Sequence, residues 1–355
     1  MRVTIMPDMA DTRWVRTRTE RRWDRGNFRG VAWGVGLWVV LALLMAGCQG
    51  DRVQSTLHPA GPAAETIATL WWVLLAVCGI YTVGTFALFF YAIFRPKQEH
   101  AAPYGGNRFI LTGGVFLPFV VLLGLLLYSV QATTRLQTPE AALTIRVVGH
   151  RFWWEVEYPE YGIVNANELH IPVGEPVHLE LTSGDVIHSF WVPQLHGKMD
   201  MFPDLITHLW LQADKEGVYR GQCAEFCGVQ HARMAFHVFA MPPEEFAAWV
   251  EEKRQSRADP DAEVFQRGHQ VFMRHGCAAC HAIRDTEAVA RAGPDLTLMG
   301  SRRMLGAATL INTSENLWDW LEDPNRFKPG VLMPPTEDIS EEELDALVDY
   351  MQSLK

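Results

Sequence analysis

Apolar residues are distributed along this chain in two different ways. Before about residue 135 they form long, nearly unbroken runs; after about Ala141 they alternate with polar residues or recur at helical spacing. Two of the runs, from about Ile67 to Phe94 and from Phe109 to about Val130, are each long enough to cross a hydrocarbon layer of ~30 Å. Arg95, Lys97 and Arg108 stand between them, which assigns the connecting loop to the cytoplasmic side. Residues 67–132 therefore predict a transmembrane helical hairpin with both ends facing outward.

Beyond it the period changes to two. In Pro176-Val177-His178-Leu179-Glu180-Leu181 every second residue is apolar, the mark of a half-buried strand. Leu143 to Val148, Ile206 to Leu211, Val218 to Gln222 and Phe236 to Ala240 also read as strands, with Gly, Pro and Asp between them. Short strands with turn signals predict an all-β sandwich or barrel over residues 140–253. It closes with a helix opened by Met241-Pro242-Pro243-Glu244-Glu245, whose Phe246, Trp249 and Val250 share one face. The charged stretch 254–261 is a linker, and residues 262–355 read as a helical third region. There Ser340 with Glu343 forms a capping box ahead of Leu344, Leu347, Val348 and Met351 on one face.

The N-terminus has a third pattern. Residues 1–30 are rich in Arg, Val31 to Ala46 is apolar, and Leu44-Met45-Ala46-Gly47-Cys48 ends the run. This describes a secretory signal over residues 1–47. The Ala-Gly-Cys ending resembles a bacterial lipobox, with Cys48 as the lipidated mature N-terminus; an uncleaved third span is the other reading. Residues 48–66 follow as an external linker.

Charge and cysteine usage narrow the chemistry. The formal net charge of −10 over 355 residues disfavours nucleic acid as a partner. Of the six cysteines, Cys48, Cys78, Cys223, Cys227, Cys277 and Cys280, four fall in two close pairs, which is metal or haem spacing rather than a disulfide framework.

The first pair lies in Cys223-Ala224-Glu225-Phe226-Cys227-Gly228-Val229-Gln230-His231-Ala232-Arg233-Met234. Thiolate, thioether and imidazole together suit copper, whereas zinc has little use for Met. A mononuclear blue-copper site uses a single Cys. A second Cys is explained by a second metal, each ion needing its own His; the other His is then His188, in Asp185-Val186-Ile187-His188-Ser189-Phe190-Trp191. A reduced Cys pair or a zinc knuckle is the simpler alternative.

Cys-x-Glu-x-Cys-Gly-x-x-His-x-x-Met, behind an upstream His-Ser-aromatic segment, resembles the dinuclear CuA site of cytochrome c oxidase subunit II. The resemblance implies that Cys223 and Cys227 bridge two coppers. It makes His188 and His231 terminal ligands, Met234 a weak ligand and the Glu225 carbonyl another. It also implies a magnesium ion held by the Glu225 side chain against subunit I, and a cupredoxin-like Greek-key sandwich. The segment Gly149 to Tyr158 resembles the family's aromatic segment, but Phe152 stands where a Trp usually receives electrons. Many members carry a Glu near the start of the second span; here Asn107-Arg108-Phe109 opens it and the nearest acid is Glu99.

The second pair, Cys277-Ala278-Ala279-Cys280-His281, is the attachment sequence of a c-type haem. A zinc or redox pair is the alternative, although a four-cysteine zinc site is excluded because this region has no other Cys. Gly268, Phe272 and Gly276, the Gly293-Pro294-Asp295-Leu296 loop and the Pro329-to-Pro335 loop resemble class I cytochromes c. That likeness makes His281 and Met333 the axial ligands, with Met299 and Met304 as rivals for the second. His/Met ligation raises a haem potential.

The resemblance as a whole implies a multidomain chain: transmembrane hairpin, cupredoxin-like sandwich, then all-α class I cytochrome c. Such a chain would be subunit II of a terminal oxidase, passing electrons through haem c and CuA to the haem–copper centre of subunit I. Oxygen reduction and proton translocation would occur there, and no residue of this chain is a candidate acid, base or nucleophile. The donor would be a cytochrome c or a quinol–cytochrome c reductase. The setting would be a bacterial plasma membrane, multi-pass, with both redox domains on the periplasmic side. The alternatives are the CuA-bearing subunit of a nitric oxide reductase and a non-catalytic membrane-tethered electron shuttle.

Overall fold

The computed structural model describes residues 52–94, 106–255, 261–336 and 338–355. The signal reading of residues 1–47, Cys48, Arg95, Lys97 and Glu99 lie outside them, as do residues 256–260 of the linker.

Helix α1 spans Pro62–Phe94 and so takes in the last part of the stretch read as linker. Pro62 suits a first helical position, where a missing N–H costs nothing, and Glu65 in the first turn offsets the dipole. The helix starts on the surface of the β domain: Ala60 N donates to Gln194 O at 2.8 Å and Ala64 N to Leu195 O at 3.2 Å. The second span comprises α2 (Gly106–Leu111), a π-helical turn (Thr112–Phe116) and α3 (Leu117–Thr134). Pro118 explains the turn: it has no N–H to give and its ring crowds the preceding turn, so the backbone widens just ahead of it. Trp210 Nε1 donates to Leu136 O at 3.0 Å, tying the exit of this span to the sandwich. Phe86, Phe90, Leu122 and Leu126 are exposed on these helices. A core helix would hide them; lipid-facing helices that are apolar all round do not, so the hairpin is a two-span membrane anchor.

Ten strands follow: β1 (Leu143–His150), β2 (Trp153–Tyr158), β3 (Ile163–Ala166), β4 (Glu168–Pro172), β5 (Val177–Ser183), β6 (His188–Trp191), β7 (Met199–Met201), β8 (Thr207–Leu211), β9 (Gly217–Cys223) and β10 (Ala235–Met241). They form two five-stranded sheets, in the orders β3-β2-β1-β5-β8 and β4-β10-β9-β6-β7. Pairing is antiparallel except for β1 with β5 and β4 with β10. In β1, Leu143, Ile145 and Val147 turn inward; with Leu179, Leu181, Phe190 and Val238 they make the core between the sheets. All five strands read from the sequence are present. Helix α4 (Pro243–Gln255) packs Phe246 and Val250 beneath the sandwich, while Trp249 lies over His170 with ring centroids 4.3 Å apart.

The C-terminal domain contains α5 (Glu263–Arg274), a two-residue-strand hairpin of β11 (Met304–Leu305) and β12 (Leu310–Ile311), α6 (Ser314–Glu322) and α7 (Glu341–Ser353). Helix α5 crosses α7 at Gly268, where a Cβ would overlap Tyr350. The capping box is formed: Glu343 N donates to Ser340 Oγ at 3.2 Å and Ser340 N to Glu343 Oε2 at 3.4 Å.

This domain sits on the outward face of β2, β3 and β4. Arg291 Nη1 meets Glu157 Oε1 at 3.1 Å, and Arg302 Nε donates to Asn165 Oδ1 at 3.0 Å. The buried Glu168 carboxylate accepts from Arg303 N at 2.7 Å and Met304 N at 3.0 Å. Covering the outer face buries Glu155, Asn165 and Glu168. These strands are therefore polar on a hidden side, and their alternation does not mark a solvent face.

Candidate metal centres

The first centre is built by strand ends. Strand β6 pairs with β9 so that Phe190 lies opposite Cys223, which brings His188 close to the end of β9. Strands β9 and β10 pair along their length, and Cys223 N donates to Met234 O at 2.9 Å. The loop between them is thus closed at its base by the ladder. Gly228, at φ +129°, lets it turn back against Phe152: a Cβ there would be 3.1 Å from that ring.

The loop folds its donors onto one another. Cys223 Sγ and Cys227 Sγ are 3.8 Å apart. His188 Nδ1 lies 3.8 Å from Cys223 Sγ, and His231 Nδ1 lies 3.8 Å from Cys227 Sγ. Met234 Sδ is 3.8 Å from Cys227 Sγ, and the Glu225 carbonyl oxygen is 3.1 Å from Cys223 Sγ. All six residues expected from the motif therefore converge. His188, Cys223, Cys227 and Met234 are buried. The sulfur separation is less than twice a metal–thiolate bond of about 2.3 Å, so both sulfurs reach a common ion, with a separate imidazole on either side. The hydrogen bond shared with Cys227 pulls the Cys223 thiol well below its usual range, and the same contact pushes Cys227 up. The Glu225 carboxylate lies outside this cluster, 3.9 Å from Lys198 Nζ.

One contributor was not singled out in the sequence. Asp185 Oδ1 lies 2.8 Å from His188 Nε2, which orients the ring and leaves Nδ1 for the thiolates. Burial opposes charge on Asp185, but hydrogen bonds from His188 and from the Val186 and Arg151 N–H groups hold its carboxyl below the ordinary range. The i, i+3 spacing of Asp185 and His188 was the available signal.

The second centre lies in the C-terminal domain. Gly276, at φ +74°, turns the chain out of α5 into a tight turn at Cys277–Ala279. His281 N donates to Cys277 O at 3.0 Å, so the ring follows directly on the two free thiols. His281 Nδ1 is 2.7 Å from Pro294 O, which leaves Nε2 available to a ligand. Burial lowers the His281 pKa and keeps the imidazole neutral. Gly293 makes the cradle: a Cβ there would stand 2.6 Å from His281 Cε1. Met333 is partly buried against the domain core with Phe327 and Val331. Met299, its rival, has its sulfur 3.8 Å from Arg302 Nη1, and Met304 lies in β11 with its N–H on Glu168. The donor set fits a covalently attached haem.

Phe152, in the aromatic segment, is buried, and its carbonyl accepts from Lys328 Nζ at 3.3 Å. Its carbonyl thus meets the C-terminal domain, while its ring packs in the sandwich core against Gly228 of the ligand loop.

Comparison with known proteins matches the two domains that carry these centres. Residues 163–241 match the family model described as cytochrome C oxidase subunit II, periplasmic domain, and residues 265–355 match that of cytochrome c. Cytochrome c oxidase subunit 2 of Alkalihalophilus pseudofirmus is 36% identical, the match covering 89% of this chain and 95% of that protein. The protein of the same name from Bacillus subtilis is 31% identical over 90% of this chain and 96% of its own length. The crystal structure of the periplasmic domain of subunit II of cytochrome oxidase from Bradyrhizobium japonicum is 31% identical, with a TM-score of 0.33. That match covers 34% of this chain and 98% of that one. With relatives of this identity matched over nearly their whole length, and with a copper-type domain followed by a cytochrome domain, the chain belongs to the cytochrome c oxidase subunit II family.

Proposed function

We propose that this chain is the electron-receiving subunit of a terminal oxidase: electrons from an external donor reach a covalent haem c, pass to a dinuclear CuA centre and go on to subunit I. Both groups, when bound, supply one-electron chemistry at potentials that the protein sets. Cys277 and Cys280 would attach the haem through thioether bonds, with His281 and Met333 as its axial ligands. Cys223 and Cys227 would bridge the coppers, with His188, His231, Met234 and the Glu225 carbonyl completing them. The Glu225 carboxylate would hold magnesium at the boundary with subunit I. Asp185 orients His188, and Pro294 orients His281. The ladder of β6, β9 and β10 holds the copper ligands in one geometry, which suits a centre that changes charge with little movement. The donor would be a cytochrome c or a quinol–cytochrome c reductase. The chain would lie in a bacterial plasma membrane, both redox domains outside and Cys48 carrying the lipid. The relatives' names favour oxygen, rather than nitric oxide, as the final acceptor in the complex.

The observation that carries this reading is the pair of thiols 3.8 Å apart, each with its own imidazole at 3.8 Å. The test is purification from membranes with the co-assembling subunits, followed by metal analysis and electron paramagnetic resonance. Two coppers per chain sharing one unpaired electron, together with a haem that survives denaturation, are expected. A single copper with a simple blue-copper resonance overturns the reading.

A further inference from the structure

The two domains meet where each presents a ligand loop. Phe327 to Gly330 leads to Met333; Val229 to Arg233 lies between Cys227 and Met234. Gln230 Nε2 donates to Pro329 O, and Arg233 Nη1 donates to Phe327 O at 2.6 Å. Val229 lies against Gly330, where a Cβ would be 2.9 Å from Val229 Cγ2. In the middle of this contact is Lys328, only 1% exposed. Its Nζ donates to Phe152 O at 3.3 Å and to Arg233 O at 3.1 Å, both on the copper-binding domain.

A buried ammonium is an expensive way to fill space. Burial, with the Arg233 guanidinium nearby, lowers its pKa to about 8. An apolar side chain would pack here without that cost. What the ammonium adds is direction: it holds two backbone points of the sandwich, one at the start of the aromatic run and one beside Met234. Pre-positioning of this kind removes the ordering cost from each encounter.

We propose that Lys328 is a positioning residue: it pins the cytochrome domain onto the copper-ligand loop, so that electrons cross a fixed contact and not the chance encounter of a tethered domain. The inference rests on the function proposed above. The advantage of the fusion would then be preset geometry, beyond the high local concentration that any tether supplies.

The test uses the purified complex with both centres loaded. Haem c is reduced by a flash and copper reduction is followed at several glycerol and salt concentrations. The wild-type rate should be independent of both viscosity and ionic strength. Lys328→Met, similar in length but uncharged, should slow transfer by on the order of tenfold or more, because transfer depends steeply on placement. It should also make the rate viscosity-dependent, while the spectra of both centres stay as in wild type. Lys328→Arg, which keeps a charged donor, should recover much of the rate. A Lys328→Met complex with an unaltered, viscosity-independent rate overturns the proposal, as does a viscosity-dependent wild type. Should Lys328→Met not assemble, Lys328→Gln carries the test with the same two outcomes. Copper and haem counts on the same samples separate the two readings: missing centres refute the proposed function, and full occupancy with an unaltered rate refutes only the role of Lys328.

Discussion

Asp185 Oδ1 lies 2.8 Å from His188 Nε2, and the opposite ring nitrogen of that histidine lies 3.8 Å from Cys223 Sγ. The carboxylate thereby selects which nitrogen faces the sulfurs. An outer partner of this kind typically contributes 10–100-fold, roughly, to metal affinity.

Asp185→Asn should therefore leave the copper-binding domain folded and still able to bind copper, but about 10–100-fold more weakly. Competition with a chelator of known copper affinity measures this. Equal affinity in the variant would show that the ring is oriented by packing alone, against Gly149 and Trp154.

The two thiols and the thioether of the ligand loop should behave differently. Cys227→Ser should abolish the dinuclear centre, because a hydroxyl does not replace a bridging thiolate at neutral pH. Met234→Leu should keep both coppers and shift the potential, since a weak ligand tunes more than it holds. Copper counting and redox titration of the two variants side by side distinguish these outcomes.

Met333→Ala should leave haem covalently attached, because attachment depends on Cys277 and Cys280, yet lower its potential. A potential and reduced spectrum equal to wild type would transfer the axial role to Met299 or Met304. Met299 is the less suited of these, with its sulfur already facing Arg302.

Glu155 supplies a pH dependence. It is buried beneath the cytochrome domain, and its pKa rises to about 7, first through burial, then through the charge of Glu157, with Asp295 adding and Arg291 opposing. An acid whose folded pKa is raised binds more protons folded than unfolded. Its stabilising protonated form is lost as pH rises, so this contribution should fall progressively between about pH 4.5 and 7 and stay low above. Glu155→Gln, which cannot ionise, should flatten that part of the profile. Thermal unfolding of both proteins across this range provides the check, and identical slopes would remove Glu155 as the cause.

The parts of this protein that were legible in the sequence are those whose causes are local. A span is a run of apolar residues. The capping box at Ser340 and Glu343 joins residues three apart, and the alternating strands β1, β5 and β9 show their buried faces directly. Most candidate copper ligands fall within Cys223 to Met234, and the candidate haem thiols and His281 within five consecutive residues. Residue type and spacing were enough there, because one loop or one turn brings the donors together.

Tertiary structure decided what depends on a second surface. Strands β2 and β4 alternate polar and apolar residues in sequence, yet Glu155 and Glu168 are buried because the cytochrome domain covers their outer side. Glu168 reads as a solvent-facing acid until the N–H groups of Arg303 and Met304, 135 and 136 residues away, close over it. Lys328 reads as an ordinary surface lysine; its acceptors are 176 and 95 residues earlier. Pattern within a strand or helix reports which face is apolar, not what another domain will later place against its polar face. Burial of a charge is a property of that pairing, and so the contact between the sandwich and the cytochrome domain appears only once the chain is folded.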